Sequence, residues 1–335
     1  MDLLIIKLGA AGDVLRTTSI LPALKEKYKG ARIYWVTKKD SLDLLRNNQY
    51  IDNVYLIENA DAEKLPMYDL VLNPDDEYDA CKLASEVKKK RIIGAYVENG
   101  DRVYTKDSAP WFDMGLISRF GKQKADELKF RNKMTYQDIH FQIFGLEDSK
   151  KHLPMLSLES EHINFARLFA EKNGIKKNDL VIGINTGAGG RWEDKKLSIE
   201  ETAELIDKIN SNFDNAKLLL FGGPEENKRN DKIKKLVKAS LIDAGCNNSM
   251  MEFASLVNLC NILVTSDSLA MHIGTALKKK IVAFFYSTSA SEIELYGNGI
   301  KIIGKGRDYC SYKTKCDYPP EWDIDEMVDA VKELA

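Results

Sequence analysis

The chain has 335 residues, 44% of them hydrophobic and 30% charged, and its 49 Lys and Arg nearly cancel 51 Asp and Glu to leave a formal charge of −2. This composition predicts a soluble globular protein, and the balance excludes a global field that would gather nucleic acid, so any basic site has to be local. The length suits two domains of roughly 150 residues each rather than one core.

Apolar runs such as residues 3–6 and 281–286 are strand-sized, far short of the roughly 18 to 20 residues a membrane span requires. No basic amino-terminal region leads into a longer apolar stretch, so no signal peptide is expected and the expected location is the cytoplasm. Cysteines at 81, 246, 260, 310 and 316 fit a reducing compartment. Without a CxxC or a nearby His, Cys310 and Cys316 read as two free thiols rather than a pair or half a metal site.

In chain order, β-rich runs at 3–8, 32–37, 53–58, 69–73 and 91–96 alternate with helical periodicity at 14–28, 41–48 and 77–89. Near-continuous apolar strands between helices predict a parallel sheet covered on both faces. Residues 97–146 loosen into a polar, aromatic-dotted stretch expected to decorate this sheet with loops and helices rather than extend it. The charge, Pro and Ser content of 145–162 places a boundary there, giving domains 1–150 and 151–335. The second half repeats the alternation, with strands at 180–185, 217–222, 241–243, 262–265 and 281–286. Ser198 with Glu201 and Ser249 with Glu252 form capping boxes that start two of its helices.

Four strand-to-helix loops carry candidate chemistry. In "GAAGD", Gly9 and Gly12 let the backbone turn sharply and Asp13 follows, either as a helix N-cap or as a functional carboxylate. The loop lacks the glycines of a dinucleotide site and the Lys of a P-loop. In "NTGAGGRWEDKKLS", Thr186 and Gly187 open a glycine-rich turn followed by Lys195 and Lys196, a pattern suited to an anion held by backbone amides and an ammonium. In "FGGPEENKRND", Pro224 and Glu225 suit a helix start, with a ribose contact open to Glu225. In "VTSDSLAMHIG", Asp267 and Ser268 occupy a strand-to-helix turn and His272 lies one helical turn on, near amides that favour a pyrophosphate.

These motifs, in this order and spacing, resemble glycosyltransferase family 9, the ADP-heptose:lipopolysaccharide heptosyltransferases and their relatives, along residues 7–316. The resemblance implies an α/β GT-B fold, two Rossmann-like doubly wound parallel-sheet domains facing across a cleft. The first domain would bind acceptor and the second the nucleotide sugar, with the final helix returning to the first domain. It also implies metal-independent, inverting transfer of a heptose-like sugar from a nucleotide-diphosphate donor, ADP favoured, to a saccharide or glycolipid acceptor in lipopolysaccharide or related glycan synthesis. No cofactor is implied.

Carried over by position, Asp13 becomes the general base, with Gly9 and Gly12 on the acceptor side. Lys195 becomes a donor phosphate contact beside Thr186 and Gly187, and Glu225 a ribose contact. The turn of Asp267, Ser268, Leu269 and His272 would cradle the diphosphate. Leu269 stands where the family has glycine, and Thr186 where proline is frequent. Other readings are a nucleotide-sugar epimerase and a non-catalytic nucleotide-sugar binder. A basic run at Arg119, Lys122, Lys124, Lys129, Arg131 and Lys133 reads as a solvated helix face or as a patch for anionic glycolipid at the inner membrane surface.

Overall fold

The computed structural model describes residues 1–190 and 192–335, so Arg191 of the second glycine-rich loop lies outside the described residues. The chain folds into two units. One comprises residues 1–157 with 291–294, and the other 158–290 with 295–335. The short segment 291–294 belongs to the first unit, where the Tyr136 amide donates to the Glu292 carbonyl at 2.8 Å.

In the first unit, strands β1 (Asp2–Ile6), β2 (Arg32–Thr37), β3 (Asn53–Leu56), β4 (Tyr68–Asn73), β5 (Lys89–Glu98) and β6 (Asp101–Tyr104) form one sheet ordered β3-β2-β1-β4-β5-β6. Period-two alternation in β1 sends Leu3 and Ile5 to one face and Leu4 and Ile6 to the other. The first pair packs with Val14 and Leu24 from α1 (Ala11–Thr17) and α2 (Leu21–Lys27). The second pair packs with Ala80 and Leu83 of α3 (Tyr78–Glu86). Burial on both faces is why these strands read as unbroken apolar runs.

One expectation for residues 97–146 is corrected. Residues 101–104 extend the sheet as β6, paired antiparallel to β5 through a two-residue turn in which Asn99 and Gly100 take φ of 52° and 90°. Asn-Gly tolerates these left-handed conformations and closes a tight hairpin. The rest of the stretch forms α4 (Ala109–Phe112), α5 (Lys122–Arg131) and α6 (Tyr136–Phe144). Helix α6 is started by a reciprocal Thr135–Asp138 capping box and stopped by Gly145 in the left-handed region.

The second unit repeats the first one's strand order. β7 (Val181–Asn185), β8 (Lys217–Phe221), β9 (Leu241–Asp243), β10 (Ile262–Ser266), β11 (Lys280–Phe285) and β12 (Gly299–Ile303) form an all-parallel sheet ordered β9-β8-β7-β10-β11-β12. Helices α7 (Ser160–Lys172), α8 (Ile199–Asn212), α9 (Asn227–Leu236), α10 (Met250–Val257), α11 (Leu269–Ala276) and α12 (Ile324–Leu334) complete it. Both expected capping boxes are present at the starts of α8 and α10. The final helix, expected on the first domain, packs instead on β10, β11, β12 and α8 of its own unit, burying Met327, Val328 and Val331. In each sheet the strand order reverses beside the first strand, between β1 and β4 and between β7 and β10. Such switch points open a crevice at the carboxyl ends of the strands, where doubly wound folds bind ligands.

Candidate functional site

The first crevice is built by the turn after β1 and the loop after β4. Asp75, buried, draws the two together: its Oδ2 accepts from Lys7 Nζ at 3.1 Å and from the Leu8 amide at 2.9 Å, and its Oδ1 from the Glu77 amide at 2.9 Å. Asn73 orients Asp75 by accepting its amide at 3.2 Å while donating to the Ala95 carbonyl at 2.7 Å. Gly94 permits this approach, since a Cβ there would lie 2.0 Å from the Asn73 carbonyl oxygen, at a φ of +125°. Burial alone would push the Lys7 ammonium down, but Asp75, with Asp13 farther off, outweighs it and holds Lys7 charged.

Asp13 is not the helix cap. Ala10 holds that position and Asp13 lies in the first turn of α1, where its carboxylate meets Arg16 at 2.8 Å and keeps 34% of its side chain exposed. A carboxylate in a first helical turn also gains from the macrodipole. The turn is therefore ordered beneath Asp13 while its carboxylate reaches solvent.

The second crevice gathers three of the predicted residues, Lys195, Asp267 and His272. Lys195 Nζ, buried, bonds Asp267 Oδ2 at 2.9 Å and the Asp267 carbonyl at 3.2 Å, and lies 5.2 Å from the Trp192 ring centroid. His272 Nε2 stands 4.0 Å from Asp267 Oδ1, and Thr288 donates to Asp267 Oδ2 at 2.7 Å. Burial would raise the Asp267 carboxyl, but Lys195, His272 and Thr288 hold it well below the usual carboxylate range. Asp267 thus serves as the mount that aims Lys195, and an arriving phosphate would compete for the same ammonium.

Ser268 precedes α11 in the cap position, yet its hydroxyl is turned to Thr265 Oγ1 at 3.0 Å and makes no side-chain cap. Asn185 braces that corner, reaching the Gly187 carbonyl at 2.8 Å and Thr265 Oγ1 at 3.1 Å. Helix starts of this kind favour anions through their amides and dipole. Leu269 is the first residue of α11 and is half-buried.

The structure distinguishes two predicted contacts from their neighbours. Thr186 turns inward: its hydroxyl lies 3.0 Å from the Phe221 carbonyl and 2.6 Å from Asn230 Oδ1, which makes it a brace between loops. Glu225 is exposed beside the glycine turn, where a Cβ on Gly190 would lie 2.6 Å from its Oε2. Glu226, next to it, is buried and accepts the Gly223 amide at 3.0 Å with Lys196 3.5 Å away. Among the described residues Cys310 and Cys316 form no disulfide, and the Cys316 amide donates to Asp194 Oδ2 at 2.6 Å, tying the carboxyl-terminal loop to the Lys195 loop.

Sequence reasoning missed Lys7, Asp75, Arg16, Tyr136 and Thr288. The "TYQD" box at 135–138 was a readable helix start that puts Tyr136 first in α6. The partnerships of the others arise between segments distant in sequence, or, for Arg16, from such a segment's ring.

The family model described as glycosyltransferase family 9 (heptosyltransferase) matches residues 67–320, a span that holds Lys195, Glu225, Asp267 and His272 and begins after the Asp13 turn. Lipopolysaccharide heptosyltransferase 1 of Campylobacter coli is 21% identical over 321 residues, 93% of this chain and 92% of that protein. A solved family 9 glycosyltransferase from Veillonella parvula superposes with a TM-score of 0.79 at 18% identity, over 99% of this chain and 96% of its own. The E. coli heptosyltransferase WaaC with ADP gives 0.63 at 16% identity, over the full length of both. These likenesses show the fold as GT-B.

Proposed function

This chain belongs to glycosyltransferase family 9 and is a glycosyltransferase; on that premise we propose that it moves a heptose-like sugar from an ADP-linked donor to a saccharide or glycolipid acceptor in lipopolysaccharide or related cell-surface glycan synthesis. The observation that carries the reading is the Lys195–Asp267–His272 constellation at the start of α11, an anion site built from buried charge and helix amides. The donor diphosphate takes the Lys195 ammonium and those amides, and Glu225 lies within the same group of loops for the ribose. That reading gains support from the relatives: one is named a lipopolysaccharide heptosyltransferase, and one similar structure contains ADP.

Asp13 acts as general base in this scheme. It removes the acceptor hydroxyl proton as that oxygen attacks the anomeric carbon from the face opposite the diphosphate, so the sugar inverts. A positioned base is worth roughly 10²- to 10⁴-fold. The transition state has oxocarbenium character, and the leaving diphosphate gathers charge that Lys195 and the α11 amides are preorganised to accept. On the family's pattern the transfer needs no metal.

The test couples donor identity to chemistry. A thermal-shift panel of ADP, UDP, GDP and dTDP should show stabilisation by ADP. Incubation with ADP-heptose and a lipid A–inner core acceptor should then release ADP only when both substrates are present. ADP-heptose turnover without acceptor would favour an epimerase, and binding without turnover a non-catalytic binder.

The acceptor side extends the proposal to the inner membrane surface. Among the described residues no helix is long and apolar enough to cross a membrane. Leu116, Phe120, Phe130 and Met134 are exposed in the stretch that carries Lys122, Lys124, Lys129 and Arg131. Three of these bases are ion-paired, to Asp126 and Glu127, which reduces the net charge offered. Peripheral contact with anionic lipid predicts co-sedimentation with anionic vesicles that weakens as salt rises.

A further inference from the structure

The Asp13 turn contains a second device. Arg16 is only 14% exposed, and its guanidinium lies over the Tyr136 ring with 3.8 Å to the centroid and 6.0 Å to that of Trp111. Tyr136 is itself buried, and its hydroxyl bonds Thr17 Oγ1 at 2.7 Å. Thr17 Oγ1 in turn bonds the Asp13 carbonyl at 2.6 Å. A closed ring of contacts therefore runs from the Asp13 backbone through Thr17, Tyr136 and Arg16 back to the Asp13 carboxylate at 2.8 Å.

An exposed i,i+3 ion pair between flexible side chains contributes little. This one differs because the cation is planar and stacked, so most of the ordering cost is borne by the packing of α6 on α1. We propose that Arg16 is a positioning residue, which, clamped on Tyr136, fixes the rotamer and the charge of the Asp13 carboxylate for proton abstraction. The inference rests on the reading of Asp13 as base.

Among the described residues, charged and titratable groups reach Asp13 from three elements. Arg16 is on its own helix. Lys7 comes from the end of β1 and is hydrogen-bonded to Asp75. From α6 come Tyr136 and His140, the latter pushed down to about 3 by burial and so neutral at working pH. Arg16 is a cation in direct contact, at 2.8 Å. Its loss would raise the pKa of the carboxylate, because an adjacent opposite charge favours the ionised form.

The experiment measures kcat and kcat/KM against pH for Arg16→Met and Arg16→Lys, with the melting temperature and the ADP affinity of each. Arg16→Met should move the acid limb of the profile up by about one pH unit and lower kcat about tenfold, within the range by which a misplaced group slows a reaction. ADP affinity should not change. Arg16→Lys keeps the charge without the planar stack, so the limb should stay near wild type while kcat falls. Should Arg16→Met melt early, Arg16→Gln is judged by the same readouts.

Wild-type kcat and acid limb in Arg16→Met, with turnover collapsed in Asp13→Asn, would overturn the inference and leave the base assignment standing. A raised acceptor KM with unchanged kcat would make Arg16 a substrate contact and also overturn it. Undiminished turnover in Asp13→Asn would instead remove the reading on which it rests.

Discussion

Two aspartates flank their sheets' switch points, Asp13 in the first turn of α1 after β1 and Asp267 between β10 and α11, and the protein treats them in opposite ways. Asp13 keeps a third of its side chain exposed and meets a guanidinium from its own helix. Asp267 is 17% exposed, bonded to Lys195 and Thr288 and close to His272. A carboxylate with one open face can take a proton from an incoming group. One enclosed by a buried ammonium and a hydroxyl can only hold its neighbours in place. On the proposed reading the same residue type serves as reagent in one unit and as mount in the other, and the difference in exposure and partners is set by surroundings rather than by the loop sequence.

That contrast breaks most sharply under mutation. Asp13→Asn should lower turnover by roughly 10²- to 10⁴-fold, while Asp13→Ala should cost about 1 kcal/mol of stability or less, because a third of the carboxylate is exposed and Arg16 keeps its stack on Tyr136. Asp267→Ala should do the reverse on stability, costing about 3–5 kcal/mol because Lys195 is left buried and unpaired; differential scanning calorimetry reads both. Equal stability losses at the two positions would erase the distinction.

Lys195→Ala should weaken ADP binding by about 10- to 100-fold, the equivalent of a lost charge-assisted hydrogen bond. The smallest effect concerns pH. His140 is held neutral by burial, with its pKa pushed down to about 3 from 6.5. The unfolded chain therefore binds a proton between those values that the folded chain refuses, so stability is lost as pH falls from 6.5 towards 3. His140→Phe should flatten the dependence of melting temperature on pH between about 6.5 and 4.5, without altering donor affinity.

Much of this architecture was legible from the residues. Strands 32–37 and 241–243 occur at the expected positions, and both capping boxes form as read, because apolar runs and Ser-x-x-Glu spacing act locally. Two strands were not read. β6 hides in "ENGDRVYT", where only the Asn-Gly turn signals a hairpin, and β12 is a five-residue edge strand with mixed burial after a glycine turn.

The site divides along the same line. Lys195, Asp267 and His272 could be placed together from loop motifs. The assignment of Glu225 to the surface and Glu226 to the interior depends on the phase of one short helical turn. Thr186 was read as facing a ligand, but its inward turn needs Asn230 from α9, which only tertiary packing brings near. Asp75 was invisible for the same reason, since its partners Lys7 and Leu8 lie 68 and 67 residues away.

The central claim is that nucleotide is held at the Lys195 crevice of the second unit while Asp13 supplies only chemistry. Calorimetric titration of ADP into the wild-type protein, Asp13→Asn and Lys195→Ala tests it directly. The account predicts that Asp13→Asn binds as wild type and Lys195→Ala binds about tenfold or more weakly. Wild-type affinity in Lys195→Ala together with lost affinity in Asp13→Asn would place the nucleotide at the first crevice and contradict it.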